Sequence, residues 1–417
     1  MAAALQRRDF RMLLGGQFVS DYGRQLSIFA LPTIAILSLH ASAITVTAIN
    51  GVEWAVIPLL AMVAGVLIDR WKRRRTMVIA NVVRLTALSS IPVAAFFHVL
   101  SIPQLFCTAF IVSLASLFFD CAYQPFLAFL VGRESYAEGN ARMTMSYCIA
   151  SALGNGSGGP IVQTLGAPLA IIANLMTYIT GTVALLSIRK PEIRSQRDDD
   201  RSFRREFREG AAIVWGDPFF RRLAFTSGTF YFGGALVDAV LPLYVYRSLH
   251  QTPLFFGMML ALASCGIFGS AMATKVVRKR GALPFLPFAI AGVALGHAIC
   301  TLAALPILAI LAGRTLVACA APTYDVMVQT IATERTADTQ LGRMNAAMRT
   351  ITNAPIPIGC VLGGVLSGVL GFQGAMLFGA LACVASLGVF FALQAQTGRT
   401  SACLPSTTTN YGMRSAA

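Results

Sequence analysis

Twelve continuous apolar stretches follow one another along the chain, and each is close to the length that crosses a lipid bilayer. A membrane-spanning α-helix needs about 20 predominantly apolar residues. The stretches are continuous and do not alternate with polar residues, which disfavours the strands of an outer-membrane barrel. The sequence therefore predicts an all-α membrane protein with twelve transmembrane helices, segments 1 to 12. These segments are 11–38, 43–68, 76–99, 104–131, 143–165, 167–188, 222–246, 254–278, 283–304, 306–331, 344–370 and 372–395.

Composition agrees with a chain that lies mostly in lipid. Of the 417 residues, 56% are hydrophobic and only 12% are charged, whereas a soluble domain is about 25% charged. No cleavable signal peptide is expected, because the first apolar stretch is too long and too polar for a signal core. The nine cysteines and four histidines show no metal-ligand spacing, so neither a metal nor a cofactor is predicted.

The basic residues are concentrated in one set of loops. They precede segment 1, follow segments 2 and 8, and number ten within 189–222, whereas the opposite loops carry only Arg247. A net charge of +15 in a soluble protein would indicate nucleic acid, which is the weaker alternative here. The pattern follows the positive-inside rule and predicts a multi-pass bacterial inner-membrane protein with both termini in the cytoplasm.

The two halves of the chain repeat one another. Leu31-Pro32 recurs as Leu241-Pro242 at an offset of 210, and Gly158-Gly159 recurs as Gly363-Gly364 at an offset of 205. Six helices per half keep both halves in the same orientation, so the repeats are parallel and a substrate cavity is expected between them. The predicted units are a first half at 1–188, a partly helical cytoplasmic linker at 189–221, a second half at 222–396 and a disordered tail at 397–417.

The loop between segments 2 and 3 carries a recognisable signature. Its matching residues are Gly65, Asp69, Arg70, Arg73 and Arg74. With the two six-helix halves, this signature resembles the major facilitator superfamily over nearly the full chain, although Lys72 stands where the family usually has glycine. Within the superfamily the chain is most similar to the macrolide and enterobactin exporter branch. The residues that support this branch are 20–23, 30–32, 118–120 and 140–142.

The resemblance implies that this loop belongs to an inner gate. Asp69 is expected against the positive N-terminus of the helix of segment 11, and Arg73 is expected to pair with Asp120 on segment 4. These contacts would hold the outward-open state and break when the halves rock. The alternative is that residues 70–75 only anchor the topology, but Asp69 adds nothing to such anchoring.

Two carboxylates, Asp21 and Glu53, lie inside the first half and have no acidic counterpart in the second half. Charges at that depth are costly, face a cavity or a partner, and serve as proton carriers in transporters. We therefore expect both to couple protons, although Asp21 could equally form a static pair with Arg24 or Arg84. The other cavity candidates on these two segments are Gln17, Arg24, Gln25, Asn50 and Trp54.

Further intramembrane charges leave alternatives open. Asp238 and Arg314 can each contact the substrate or pair with one another, and Arg84 can hold a substrate anion or a neighbouring carboxylate. Asp325 mirrors Asp120 through the repeat and is expected to be a structural partner of the basic region that begins segment 11. Aromatic candidates for the cavity wall, each of which helix packing would also explain, are Trp54, Tyr123, Tyr178, Phe230 and Tyr231.

Segment 5 is rich in small residues. Its residues Gly154, Gly158, Gly159 and Pro160 allow close helix approach and a bend. They resemble the glycine-proline signature of antiporter members of the superfamily, with Gly-Gly-Pro in place of the usual order. Whatever the mechanism, this stretch is expected to pack closely against another helix.

The predicted function is secondary transport. Neither a nucleotide-binding loop nor a set of catalytic residues is present, so an enzyme is not expected. We expect a monomer that exports an amphipathic small molecule, such as a drug, macrolide or siderophore, coupled to protons. Alternatives are uptake or lysophospholipid flipping by the same fold, and a non-transporting membrane sensor or scaffold.

Overall fold

The structure is a computed structural model, and its helices fill the part of the chain that it describes. Each of the twelve predicted segments contains helix within that part, and no strand is found there. The described residues are 8–132, 135–190, 192, 203–262, 266, 269, 281–302, 304–336 and 340–401.

The first half contains six helices with recognisable ends. Ser42 caps the second helix by accepting a hydrogen bond from the Thr45 backbone N–H at 3.2 Å. Gly132 and Gly166 end the fourth and fifth helices, both at φ 83°, a conformation that favours glycine. The helices are α1 (Arg8–Thr33), α2 (Ala43–Arg70), α3 (Arg73–Phe96), α4 (Ile102–Val131), α5 (Tyr136–Leu165) and α6 (Ala167–Leu186).

The second half follows a linker helix, α7 (Phe203–Gly216). Its last helix holds most of segment 11 and all of segment 12, which are separated where Gly371 leaves helical geometry at φ 74°. Residues beyond 262 in segment 8 lie largely outside the described residues. The helices are α8 (Pro218–Leu243), α9 (Pro253–Ala261), α10 (Leu286–Ile299), α11 (Pro306–Arg335), α12 (Leu341–Asn353) and α13 (Pro355–Ser401).

Two boundaries differ from the prediction. The second half begins at Pro218 and not at residue 222, because Asp217 caps α8 by accepting from the Phe219 N–H at 2.8 Å. The last helix continues to Ser401, into the predicted disordered tail. Caps and backbone hydrogen bonds decide where a helix ends, whereas the prediction used hydropathy. Residues 402–417 lie outside the described residues.

Seven helical stretches within the described residues are long and apolar enough to cross a membrane by length and composition. The last of them contains both segment 11 and segment 12. The stretches are Ala43–Ala61, Arg73–Phe96, Ile102–Val131, Ala167–Leu186, Pro218–Ser248, Pro306–Arg335 and Met344–Ala392.

The internal repeat extends to unusual backbone details. The first helix of each half ends in a π-helical turn, Ile34–Ser38 and Tyr244–Ser248, at the offset of 210 seen in the sequence. Each turn is followed by a histidine with positive φ, His40 at 47° and His250 at 48°. The repeat seen in the sequence therefore extends to the backbone conformation of the two halves.

Close helix pairs also recur in the two halves. Gly23 on α1 packs against Asn174 on α6, and Gly233 on α8 packs against Gly379 and Cys383 on α13. A side chain at either glycine would overlap its neighbours, so the absence of Cβ is what permits the approach. The equivalent pairs place the first helix of each half against the last helix of the same half.

Candidate functional site

Asp21 lies buried on α1 and is held by two residues of its own helix. Gln17 Nε2 donates to Asp21 Oδ1 at 3.2 Å, and Arg24 Nη2 lies 3.5 Å from the same oxygen. The Arg24 guanidinium also lies 5.3 Å from the centre of the Tyr147 ring. Of the two predicted partners of Asp21, the structure therefore joins it to Arg24 and not to Arg84.

Arg84 is buried on α3, with 5% of its surface exposed. Its Nη1 donates to Asn81 Oδ1 at 3.2 Å, and its guanidinium lies 4.6 Å from the centre of the Phe119 ring and 5.7 Å from that of Tyr178. Its Nε has no hydrogen-bond partner, and no described carboxylate pairs with it. Arg84 therefore contacts the faces of aromatic rings, which attract cations, and not a neighbouring carboxylate.

Glu53 lies half-buried on α2. Its backbone carbonyl accepts a hydrogen bond from Ser113 Oγ of α4 at 2.5 Å, which fixes this turn of the helix. Within the described residues, its carboxylate has no ion pair and no hydrogen bond. Two residues earlier, Gly51 packs against Pro357 and Cys360 on α13 in the second half. Among the described residues, Glu53 is thus an unpaired carboxyl on a helix that borders the second half.

The second half contains an ion pair between two helices. Arg314 Nη1 on α11 donates to Asp238 Oδ1 on α8 at 2.6 Å, with 15% of the arginine side chain and 56% of the aspartate side chain exposed. The alternative in which these two charges pair with one another is the arrangement found. The Asp238 carboxylate therefore remains accessible to a ligand beyond this contact.

A second contact involves the repeat counterparts of first-half residues. Tyr231, which occupies the position of Asp21 in the second half, donates from its hydroxyl to Asp325 Oδ1 at 2.6 Å. The expected partner of Asp325 was the basic start of segment 11. The Arg343 side chain there is not among the described parts of the structure. Burial of a tyrosine favours a nearby acceptor for its hydroxyl, which explains the partner found.

The predicted inner gate is only partly described. The structure describes only the helical backbone of Gly65, Asp69 and Arg70, and not the side chains of Asp69 and Arg70. Arg73 and Asp120 form no ion pair, and Asp120 is exposed. In this conformation, therefore, the predicted Arg73–Asp120 contact is not made.

A different contact, which the sequence analysis missed, fixes the loop. Glu192 accepts hydrogen bonds from the backbone N–H groups of Arg73 and Arg74 at 2.9 and 3.1 Å, so it caps α3 from the linker. The Arg74 guanidinium donates to the carbonyls of Leu185 and Leu186 at 2.8 and 2.5 Å. Arg74 therefore caps the end of α6, in addition to any role in topology.

Lys190 and Asp9 extend this network at the same end of the half. Asp9 Oδ2 accepts from the Lys190 backbone N–H at 2.9 Å, and Lys190 Nζ donates to the Phe129 carbonyl at 2.5 Å. The network ties the start of α1, the end of α4 and the end of α6 together. In the sequence, Asp9 and Glu192 stand among basic residues, but no pattern indicates which groups they contact.

The remaining first-half candidates are placed around Asp21 and Glu53. Gln25 is buried against Gly154, and Tyr123 is half-buried and stacks on Phe119 with 6.3 Å between ring centres. Asn50 is half-buried. Trp54 is 44% exposed, which fits a cavity wall or a lipid-facing position.

The glycines of α5 pack against two different helices. Gly158 lies against Phe29 of α1, and Gly159 lies against Gly257 and Pro253 of α9 in the other half. Both glycines therefore lie where a neighbouring helix approaches closely. Pro160 follows directly and is exposed.

The halves meet at the end predicted to face outward. Thr33 and Tyr246 hydroxyls lie 3.0 Å apart, and Arg247 Nη2 donates to the Ala41 carbonyl at 2.5 Å. The Gly159–Gly257 crossing belongs to the same end. These contacts join the two halves at the predicted outer side.

This arrangement defines a class of protein: two six-helix halves that repeat one another, with charged side chains inside the helical segments, form a major facilitator transporter. The chain belongs to the transmembrane secretion effector family of that superfamily, whose profile matches residues 1–412. The resemblance predicted from the loop signature is confirmed, and the chain is a multi-pass membrane transporter and not an enzyme.

Two curated relatives are similar to this chain. The multidrug efflux pump Tap of Mycolicibacterium fortuitum is 24% identical over 405 residues, which cover 89% of this chain and 92% of Tap. The uncharacterized MFS-type transporter YkuC of Bacillus subtilis (strain 168) is 26% identical over 252 residues, 55% of this chain. The match spans 56% of the length of YkuC.

Solved structures share the fold. A bacterial homologue of the iron transporter ferroportin in its inward-facing state gives a TM-score of 0.77 at 14% identity, covering 93% of this chain and 99% of the homologue. Its outward-facing state gives 0.62 at 14% identity, covering 93% and 100%. Likeness at this identity establishes the twelve-helix fold.

Proposed function

We propose that this transporter exports an amphipathic small molecule, such as a drug, a macrolide or a siderophore, in exchange for protons. The similarity to Tap, which is named a multidrug efflux pump and matches nearly the whole chain, supports export. The proposed setting is a bacterial inner membrane, with a monomer whose termini both lie in the cytoplasm.

Alternating access by rocking of the two halves is part of the proposal. The contacts at Thr33–Tyr246 and Arg247–Ala41 would hold the predicted outer side shut. When these contacts break, the opposite ends would approach. In that second state Asp69 would dock on the helix of segment 11 and Arg73 would reach Asp120.

Glu53 is the first candidate for the proton carrier, and its lack of a partner among the described residues is the observation that carries the coupling proposal. A carboxyl inside a membrane span that makes no ion pair or hydrogen bond is a candidate proton carrier. Rocking of the halves would change the access of Glu53 to water, because its helix borders the second half.

Asp21 is the second candidate. It is already held by Gln17 and Arg24, so the static role and the coupling role remain alternatives for it. The substrate would contact the open side of the Asp238–Arg314 pair and aromatic walls such as Trp54 and Tyr231.

Transport by everted membrane vesicles tests the proposal. Vesicles that contain the wild-type protein should accumulate ethidium, erythromycin or enterobactin when their lumen is acidic. This accumulation should stop when a protonophore removes the pH gradient. Glu53→Gln should abolish the gradient-dependent part of transport. Accumulation only in right-side-out vesicles would establish uptake in place of export, and movement of a labelled lysophospholipid alone would establish flipping.

A further inference from the structure

An apolar groove lies between the linker helix and the second half. It has a volume of about 230 Å³ and is lined by Trp215 on α7, by Phe225, Gly228 and Phe232 on α8, and by Ile351 and Pro355 on α12 and α13. Thr229 also lines it, but its hydroxyl donates to the Phe225 carbonyl at 2.9 Å. The groove therefore presents hydrocarbon and suits an apolar occupant.

The linker helix packs against the second half beside this groove. Val214 is fully buried in the core of the second half, and Ile213 packs on that core. The next residue, Trp215, is 45% exposed and meets the Phe225 ring edge-on, with 5.7 Å between ring centres. Tryptophan favours the interface between membrane and water, so Trp215 would lie at the level of the lipid headgroups.

Two exposed arginines lie on the helices that line the groove. Arg221 is exposed and lies one turn before Phe225 on the same face of α8, and Arg208 is exposed and lies two turns before Trp215 on α7. The carboxylate of Asp217, between them in the chain, is engaged as the cap of α8. An apolar groove with arginines beside it offers one ligand a hydrocarbon contact and an anion contact together.

We propose that this groove binds an anionic phospholipid. One acyl chain would lie along Phe225 and Phe232, and the phosphate would contact Arg221 and Arg208. A lipid that carries net negative charge is favoured over a zwitterionic one, because each arginine near a membrane surface increases the association of an anionic lipid about fivefold. This binding is independent of the transported substrate.

Quenching of Trp215 fluorescence by brominated lipids tests the proposal directly. The chain has three tryptophans, so Trp54→Phe with Trp71→Phe leaves Trp215 as the single reporter in the full-length protein. Reconstituted in phosphatidylcholine, Trp215 should be quenched more strongly by brominated phosphatidylglycerol than by the same fraction of brominated phosphatidylcholine. Arg221→Gln with Arg208→Gln should remove this preference.

A matched pair of variants tests the groove itself. A Cβ at Gly228 would lie 3.5 Å from Pro355 Cγ, an ordinary contact, so Gly228→Ala should leave quenching unchanged. Gly228→Leu should fill the groove and reduce quenching at least twofold. An unquenched emission spectrum like that of the parent, with a monodisperse elution profile, shows that each variant is folded.

Three results would overturn the proposal. The first is equal quenching by the two brominated lipids, and the second is quenching that Gly228→Leu leaves unchanged. The third is loss of quenching on addition of ethidium, erythromycin or enterobactin, which would make the groove a substrate site. None of these results depends on whether the protein couples export to protons.

Discussion

Arg247 in the second half donates a hydrogen bond of 2.5 Å to the backbone carbonyl of Ala41 in the first half. It was notable in the sequence as the one basic residue in the loops predicted to face outward. Its side chain leaves the π-helical turn after α8 and reaches the loop after the equivalent turn of α1. The charge that breaks the topology pattern therefore joins the two halves.

We predict that Arg247→Gln opens the predicted outer side. A hydrogen bond from a charged donor contributes about 1.5–3 kcal/mol, and 1.4 kcal/mol changes a population ratio about tenfold. Spin labels at Ser38→Cys and Ser248→Cys, both exposed positions, should lie farther apart in Arg247→Gln when their separation is measured by double electron–electron resonance. Arg11→Gln, at the other end of α1, is the control, and an unchanged distance distribution in Arg247→Gln would refute the latch.

The α5–α9 crossing gives a second prediction. A Cβ at Gly159 would lie 2.7 Å from the Pro253 carbonyl oxygen and 3.0 Å from Gly257 Cα, whereas one at Gly156 would meet only Ala261 Cβ at 3.8 Å. Overpacking costs about 1–3 kcal/mol. Gly159→Ala should therefore slow vesicle transport about fivefold or more while Gly156→Ala stays near wild type, and equal rates would show that the crossing is not needed.

The Asp238–Arg314 pair should respond unequally to loss of each partner. Arg314→Gln leaves a carboxylate that water can reach, so we expect a loss of about 1 kcal/mol of stability. Asp238→Asn leaves a mostly buried guanidinium unpaired, and about 2–3 kcal/mol is expected. Unfolding temperatures of the purified variants in detergent compare the two, and an equal or reversed order would contradict the burial argument.

Glu192 should stabilise the first half through α3. A carboxylate at a helix N-terminus accepts backbone hydrogen bonds and opposes the helix dipole, which together contribute about 1 kcal/mol. Glu192→Gln should lower the unfolding temperature of the purified protein, while Glu334→Gln, at an exposed position of α11, should not. If both variants unfold at the wild-type temperature, the cap is not a stabilising contact.

The sequence predicted the fold well because its signals are long and redundant. Twelve apolar stretches set the helix count, and the constant offset between Leu31-Pro32 and Leu241-Pro242 gave the parallel repeat. Both signals survive errors of several residues. The π-helical turns that share this offset were not predicted, because they depend on how a helix end packs and not on hydropathy.

The partners of the charged residues were harder to predict. A helix that is apolar on all sides does not reveal which face meets which neighbour, so Asp238 and Arg314 were candidates with several partners. Arg84 was expected near a carboxylate or a substrate, yet aromatic rings on α4 and α6 hold it. Glu192 was missed because its partners are backbone N–H groups, which no residue pattern reports.

Proton release on substrate binding tests the central claim most directly. Purified wild-type protein in weakly buffered detergent should release protons when it binds whichever of ethidium, erythromycin or enterobactin it transports, as a pH indicator would record. Glu53→Gln should bind the same compound, followed by its fluorescence or by equilibrium dialysis, without that release, whereas Glu334→Gln, at an exposed position of α11, should still release protons. Equal proton release from wild type and Glu53→Gln, or binding without release in wild type, would contradict the account.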